Sequence, residues 1–152
     1  MAAGYIIETT GDVSLVAATA KTVLNFIAAA NALFRVCEFA VSFDGISATA
    51  EPATIELCYS TQATAGTNTA FTPVQIRGAT RTVQGTAARS YSAEPTTLTT
   101  WKRWLVHPQT GIEMQFPLGR EPEEIVTADG VCLRVTAPAT LNCQAYMEIE
   151  EG

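Results

Sequence analysis

The chain has 152 residues and a net charge of −6, with 47% hydrophobic and 16% charged residues. A chain of this size is most simply one domain, and it buries enough surface to need no disulfide or metal for a stable core. The hydrophobic content excludes a disordered chain. The excess of acid argues against nucleic-acid binding, which requires clustered Lys and Arg.

The sequence predicts neither a membrane segment nor a metal site. The first eight residues lack the basic region that opens a secretory signal, and the longest charge-free apolar run, residues 22–34, is too short to span a bilayer. One histidine and no closely spaced cysteines argue against a zinc site. We expect no cofactor, and four buried free thiols made in a reducing cytoplasm: Cys37, Cys58, Cys132 and Cys143.

Residues 1–20 have the pattern of an extended N-terminal arm or an edge strand, ahead of a domain over residues 21–152. A short apolar group, Tyr5-Ile6-Ile7, is followed by a turn at Thr9 to Asp12. An extended segment of this kind can add a strand to a neighbouring sheet. We therefore expect Tyr5, Ile6 and Ile7 to contact another protein.

Residues 21–45 can be read as one helix or as two strands. The alanines at 28–30 favour a helix, whose apolar face would include Leu24, Ile27 and Phe34. Residues 33–43 alternate as a strand does, Asn31 suits a turn, and Asp44-Gly45 ends the second run. Strands are favoured, more weakly at 22–27, and we expect a hairpin that leads into a surface loop over residues 44–52.

The rest of the chain alternates between short apolar-periodic runs and turns. Residues 61–69 suggest an exposed hairpin tip, and residues 78–92 a long loop. About eight strands separated by frequent turns predict an all-β fold, a single-domain β-sandwich of jelly-roll type. The remaining predicted strands cover residues 53–59, 71–76, 97–106, 112–116, 131–136 and 141–150.

Charge is distributed unevenly along the sequence. Residues 77–120 contain six basic and two acidic residues, whereas the remainder contains three basic and thirteen acidic residues. This can be an ordinary solvated surface, or a basic face that docks on an acidic partner or on the acidic face of another copy. For the second case we expect contacts at Arg77, Arg81 and Arg89.

Residues that could carry chemistry are few. His107 precedes Pro108 in a turn, and no glycine-flanked serine completes a catalytic triad with it. The acids at 121–124 lack the spacing of a calcium loop and read as a solvated connection. Trp101 and Trp104 flank two cations and fall on opposite faces of a regular strand, so we expect one in the core and one at an interface.

Several segments of the chain resemble small structural proteins of tailed bacteriophages. The resemblance extends over roughly residues 20–150 and is carried by residues 20–24, 41–52, 107–111, 117–121 and 133–138. The proteins in question look like head decoration (auxiliary capsid) proteins, which coat and cement the capsid as oligomers, often trimers.

The resemblance implies a structural protein with no catalytic residues. Its expected partners are other copies of itself, with a trimer favoured, and the phage major capsid protein, with no nucleic acid or membrane. Its expected place is the outer capsid surface of the virion, after assembly in the host cytoplasm. Besides the arm and the basic loop, we expect Arg103 and Trp104 to make contacts.

The main alternative is a phage tail, fibre or head-fibre module that binds receptor glycans through Trp101 or Trp104. A cupin-like or lectin-like enzyme is a third class, and it lacks the necessary histidine and carboxylate ligands.

Overall fold

The computed structural model describes residues 2–44, 50–61, 66–78 and 80–152. Over these residues the chain is all β, so it offers no helix that could cross a membrane. Its strands are β1 Ala3–Glu8, β2 Val13–Leu15, β3 Ala20–Ile27, β4 Phe34–Phe43, β5 Ala53–Thr61, β6 Thr69–Phe71, β7 Val74–Arg77, β8 Thr86–Arg89, β9 Thr97–Val106, β10 Ile112–Gln115, β11 Glu123–Glu124, β12 Gly130–Thr136 and β13 Leu141–Glu151.

The strands form two antiparallel sheets. The first has the order β10-β4-β13-β1-β7, with β2 also beside β13 and β11 also beside β4. The second has the order β6-β8-β3-β12-β5-β9. The predicted all-β sandwich is therefore confirmed at the level of class and layering.

The core lies between the two sheets and is built from alternating positions. In β13, Leu141, Cys143, Ala145, Met147 and Ile149 are buried, while the residues between them lie on the outer face. Period-2 alternation places such a set on one face of a strand, where it can be buried against the facing sheet. The edge-to-face contact of Phe26 with Phe34, at 4.7 Å between ring centroids, joins the two sheets across the core.

The helical reading of residues 21–45 is wrong, and so is the hairpin. Both runs are strands, but β3 pairs with β12 and β8 in the second sheet, whereas β4 pairs with β13 and β10 in the first. The two runs therefore lie in opposite sheets, with the apolar face of each turned toward the core, and they do not pair edge to edge. The connection turns at Asn31, which has a φ of +60°, as the sequence predicted for a turn residue.

The N-terminal residues 3–8 form an interior strand in this chain. The sequence suggested a free arm or an edge strand over residues 1–20, but β1 is paired with β13 on one side and with β7 on the other. Over Gly4–Ile6 it has a hydrogen-bonded neighbour on each side, and its alternate side chains point into the core.

One other predicted loop contains a strand, and two others lie partly outside the described residues. The long loop expected over residues 78–92 contains strand β8, which pairs with β3 and β6. Residues 45–49 of the loop expected at 44–52 and residues 62–65 of the expected hairpin tip lie outside the described residues.

Candidate functional site

Two of the three predicted N-terminal contact residues are buried within the chain. Ile7 has no exposed surface, and Tyr5 is 2% exposed with its hydroxyl donating to the carbonyl oxygen of Arg81 at 2.9 Å. Ile6 is half-buried and lies on the outer face of the first sheet. Of this group, Ile6 alone is placed to contact another molecule.

Arg77 lies on the outer face of the first sheet and binds two acids of the same chain. Its guanidinium forms ion pairs with Glu148 and, at 3.1 Å, with Glu150 on β13. It reaches them across β1 because Gly4 has no side chain, since a Cβ there would lie 2.6 Å from Arg77 Cγ. Arg77 therefore fastens the edge strand β7 to β13.

Arg81 and Arg89 also have contacts within the chain, Arg81 through its backbone and Arg89 through its side chain. The amide of Arg81 donates to Gln75 Oε1 at 3.3 Å, and its carbonyl oxygen accepts from the Tyr5 hydroxyl. Arg89 Nη1 donates to the carbonyl oxygen of Thr9 at 3.4 Å, and its Nε is buried without a partner among the described residues. The segment from 77 to 89 is therefore not a continuous free basic surface.

Arg103 helps to hold a carboxylate on the outer face of the second sheet. Glu56 Oε1 accepts from Arg103 at 2.7 Å, and Glu56 Oε2 accepts from Arg134 at 2.5 Å. Burial opposes ionisation of this carboxylate, but the two guanidinium groups outweigh burial, so the pKa of Glu56 is lowered. The Arg103 side chain remains 63% exposed.

The two tryptophans belong to one chain of aromatic contacts, which contradicts their expected placement on opposite faces. Trp101 packs 5.7 Å from Phe116, Phe116 lies 6.0 Å from Phe39, and Phe39 lies 5.2 Å from Trp104. The cause is a bulge, because Leu57 pairs with Lys102 and Cys58 pairs with Thr100, which leaves Trp101 as the extra residue. Trp104 packs against the core, and the more exposed ring is that of Trp101.

An exposed surface surrounds this bulge at the edge of the second sheet. Strand β9 pairs only with β5 within the described chain. Leu105 is 72% exposed, and Lys102 Nζ lies 4.7 Å from the centroid of the Trp101 ring. We call this surface the β9 rim, defined by Trp101, Lys102, Arg103 and Leu105.

A second surface lies on the first sheet and was not predicted from the sequence. Three adjoining depressions, of about 330, 260 and 180 Å³, share Ser42 and form a groove on the outer face. Ala40 and Ser42 make its floor, with Tyr146 and Ile6 beside it. We call it the Ser42 groove. Its signal in the sequence was the pair of small side chains at alternate, outward positions of a long strand.

Four of the residues that line the Ser42 groove are acids. Glu8, Asp12, Asp44 and Glu113 line it, and its described lining contains no lysine, arginine or histidine. Several of these groups have neutral donors as partners: Asp12 accepts from Gln144 at 2.8 Å and Glu113 accepts from the Tyr146 hydroxyl at 3.4 Å. The described lining of the groove thus has an excess of acidic over basic groups.

The residues considered for catalysis or for calcium binding make hydrogen bonds to the backbone of turns. His107 Nδ1 accepts the amide of Gln109 at 3.2 Å, and its carbonyl oxygen accepts the amide of Thr110 at 3.0 Å. Glu124 Oε1 accepts the amides of the next two residues, each at 2.8 Å. Within the described ranges, no group of three or more His, Cys, Asp or Glu side chains is arranged to hold a metal ion.

All four cysteines are free thiols and three of them are buried, but the predicted burial of the fourth, Cys37, is wrong. Cys37 is half-buried beside Arg77. Burial raises the pKa of Cys132 and that of Cys143 to about 12, so these two thiols stay protonated at neutral pH. They are inert core residues.

Comparisons with known proteins give no match for this chain among protein-family models, curated proteins or solved structures. The function is therefore inferred from the exposed surfaces of the chain itself.

Proposed function

We propose that this protein is a structural component of a tailed-phage virion that binds the outside of the capsid as a homo-oligomer and stabilises the shell. A trimer is favoured, and the partner is the phage major capsid protein. The observation that carries the proposal is the β9 rim, a strand edge that pairs with no further described strand and exposes Leu105 beside Lys102 and Arg103. Apolar side chains on a strand edge favour association with another protein.

The strand order supports a jelly-roll sandwich for this role. Strands β1-β13-β4-β10 form one four-stranded unit and β3-β12-β5-β9 form the other. Along the chain, successive strands of this set change sheet at every connection except that from β5 to β9, the sequence of crossings that defines a jelly roll. Strands β2, β6, β7, β8 and β11 are additions to this frame.

The mechanism is stabilisation by binding only the assembled shell. A protein that binds the assembled state and not its dissociated parts lowers the free energy of the assembly by mass action. An oligomer that spans neighbouring capsomers adds the contacts of each copy through an effective concentration. We propose no catalytic step. Of the N-terminal contact residues, Ile6 retains this role, because Tyr5 and Ile7 lie in the core.

The location follows from the role. The protein is made in the host cytoplasm during assembly and remains on the outer surface of the finished head. The free thiols are consistent with synthesis in a reducing compartment.

The test is binding to shells. Purified protein is mixed with expanded shells assembled from the major capsid protein of the same genome, and binding is measured by co-sedimentation. We expect saturable binding, weakened by Leu105→Ser but unchanged by Val16→Ser, since Val16 is a similarly exposed apolar residue away from the β9 rim. No binding by the wild type, or equal loss in both variants, would contradict the proposal.

A second candidate function is glycan binding by a tail or head-fibre module. Trp101 favours it, because the residue is 36% exposed beside Lys102 and its ring is available to stack on a sugar. A glycan array with wild type and Trp101→Ala tests this candidate. Labelling of the protein evenly over the virion head would exclude it.

A further inference from the structure

A pocket lies where the chain crosses from the first sheet to the second. Strand β2 belongs to the first sheet and β3 to the second, and residues 16–19 connect them. The pocket has a volume of about 360 Å³, larger than each of the three depressions of the Ser42 groove and within the range of about 300–1,000 Å³ that is usual for small-molecule sites. We call it the Lys21 pocket. It is lined by five residues between positions 14 and 21, and by Tyr91, Ser92 and Glu94.

Both walls of the Lys21 pocket are fixed by hydrogen bonds within the chain. In the connection between β2 and β3, the amide of Ala18 donates to the carbonyl oxygen of Ala137 at 2.8 Å. In the opposite wall, the amide of Tyr91 donates to the carbonyl oxygen of Thr22 at 3.0 Å, and the Tyr91 hydroxyl accepts from Asn25 Nδ2 at 3.0 Å. A pocket that is already formed costs less ordering when a ligand binds.

Lys21 gives the pocket a positive charge that the chain leaves available. Its Nζ donates to the carbonyl oxygen of Ser14 at 3.2 Å, which uses one of its three donors. The ion pairs between described residues involve Arg77, Arg103 and Arg134, and Lys21 takes part in none of them. Lys21 therefore keeps donors and charge for an anionic group of a ligand.

Glu94 gives the same pocket a hydrogen-bond acceptor. One of its carboxylate oxygens accepts from the amide of Thr22 at 2.6 Å, and the other accepts from the Thr22 hydroxyl. An ionised carboxylate has about four acceptor positions, and Thr22 occupies one on each oxygen. The remaining positions are available to hydroxyl groups of a ligand.

Hydroxyl-bearing and apolar residues complete the lining. Ser14, Thr19 and Ser92 carry hydroxyl groups, which both donate and accept hydrogen bonds. Val16 and Ala20 supply apolar surface. A sugar ring matches such a lining, because it has hydroxyl groups at its edges and C–H groups on its faces.

We propose that the Lys21 pocket binds a sugar acid, a ring that carries several hydroxyl groups and one carboxylate. The ligand carboxylate pairs with Lys21, its hydroxyl groups donate to Glu94, and one face of the ring packs on Val16. The pocket shares no residue with the β9 rim, so this inference goes beyond the proposed function and does not depend on it. The same chemistry suits a free sugar acid and a sugar acid at the end of a glycan.

The experiment is isothermal titration calorimetry at pH 7 and constant ionic strength. We expect sodium glucuronate to bind as one molecule per chain, and about tenfold more tightly than glucuronamide, which lacks the charge that Lys21 pairs with. Alanine has a carboxylate but no hydroxyl group, and it should bind more weakly than glucuronate. Methyl β-glucuronide separates the two sources: equal affinity assigns the end of a glycan, and loss of binding assigns the free acid.

Lys21→Met should abolish the preference for glucuronate over glucuronamide. The matched control is Lys102→Met at the only other lysine of the chain, which should keep the full preference. Glu94→Gln should weaken both ligands, because both have the hydroxyl groups that Glu94 accepts. An undiminished preference in Lys21→Met would overturn the proposal.

The wild type provides a second measurement that needs no variant. In an amide NMR spectrum, glucuronate should shift the signals of residues 14–21 and 91–94. Shifts confined to residues 97–106 would place the sugar at Trp101 and overturn the pocket, as would the absence of saturable binding or tighter binding of alanine. Co-sedimentation with shells is a separate result, so failure of this site and failure of the capsid function are distinguishable.

Discussion

Neutralising Glu56 should destabilise the second sheet in a pH-dependent way. The Glu56 side chain is 9% exposed and accepts hydrogen bonds from Arg103 and Arg134, which are 63% and 20% exposed. Losing one partner of a buried pair costs about 3–5 kcal/mol, but solvent around Arg103 screens its share. For Glu56→Gln we expect a loss of about 2 kcal/mol at pH 7, or roughly 4–8 °C in melting temperature for a chain of this length.

The sign of the pH effect follows from the lowered pKa of Glu56. The contribution of the ionised carboxylate is complete above the unfolded-chain pKa of 4.5 and is lost as the pH falls through the lower folded-state value. Urea denaturation of wild type and Glu56→Gln between pH 7 and pH 3 should therefore give curves that converge in acid. A gap that stays constant with pH, or a variant as stable as wild type at pH 7, would refute the reasoning. Glu123→Gln, an exposed acid, is the control.

Three further changes test the packing of the two sheets. Gly4→Ala should displace Arg77 from Glu148 and Glu150 and cost about 1 kcal/mol in urea denaturation, with little further loss on adding Arg77→Ala. Phe39→Ala, which removes a fully buried ring between Trp104 and Phe116, should cost about 3–5 kcal/mol and shift the tryptophan fluorescence to longer wavelength; an unshifted spectrum would contradict the aromatic contacts. Glu151→Gln should cost about 1–3 kcal/mol, because its buried carboxylate accepts the amides of Gln84 and Gly85 at 2.8 and 2.7 Å, and amide exchange at those two positions should accelerate.

Alternation in the sequence predicted strands well but not their neighbours. The period of residues 141–150 and 112–116 matches β13 and β10, and residues 22–27 form a strand although their alanine-rich continuation favours a helix. Alternation says which side chains share a face and does not say in which sheet a strand lies. For that reason β3 and β4, consecutive in sequence, were expected to form a hairpin and instead lie in opposite sheets.

The alternation of apolar and polar residues also gave no sign of local irregularities in the strands. The bulge at Trp101 reverses the face of that side chain relative to a regular strand, and nothing in the residues 97–106 marks it. The Ser42 groove escaped notice for a related reason: it is made by β1, β4, β10 and β13 together, and the small residues of β4 form a depression only between taller neighbours.

The sequence shows which residues are charged, but it does not show which of these charges remain available for an interface. One interpretation of residues 77–120 was a single basic face, yet Arg77 is bound by acids of β13, more than seventy residues away, and Arg103 by an acid of β5. Whether a cation is available to a partner depends on which acids the strand register brings beside it. The register leaves Lys102 exposed at the β9 edge and places Glu8 and Glu113 on the outer face of the first sheet. Arg77 and Arg103 are therefore partly neutralised within the chain, whereas Lys102 keeps its charge for a contact between molecules.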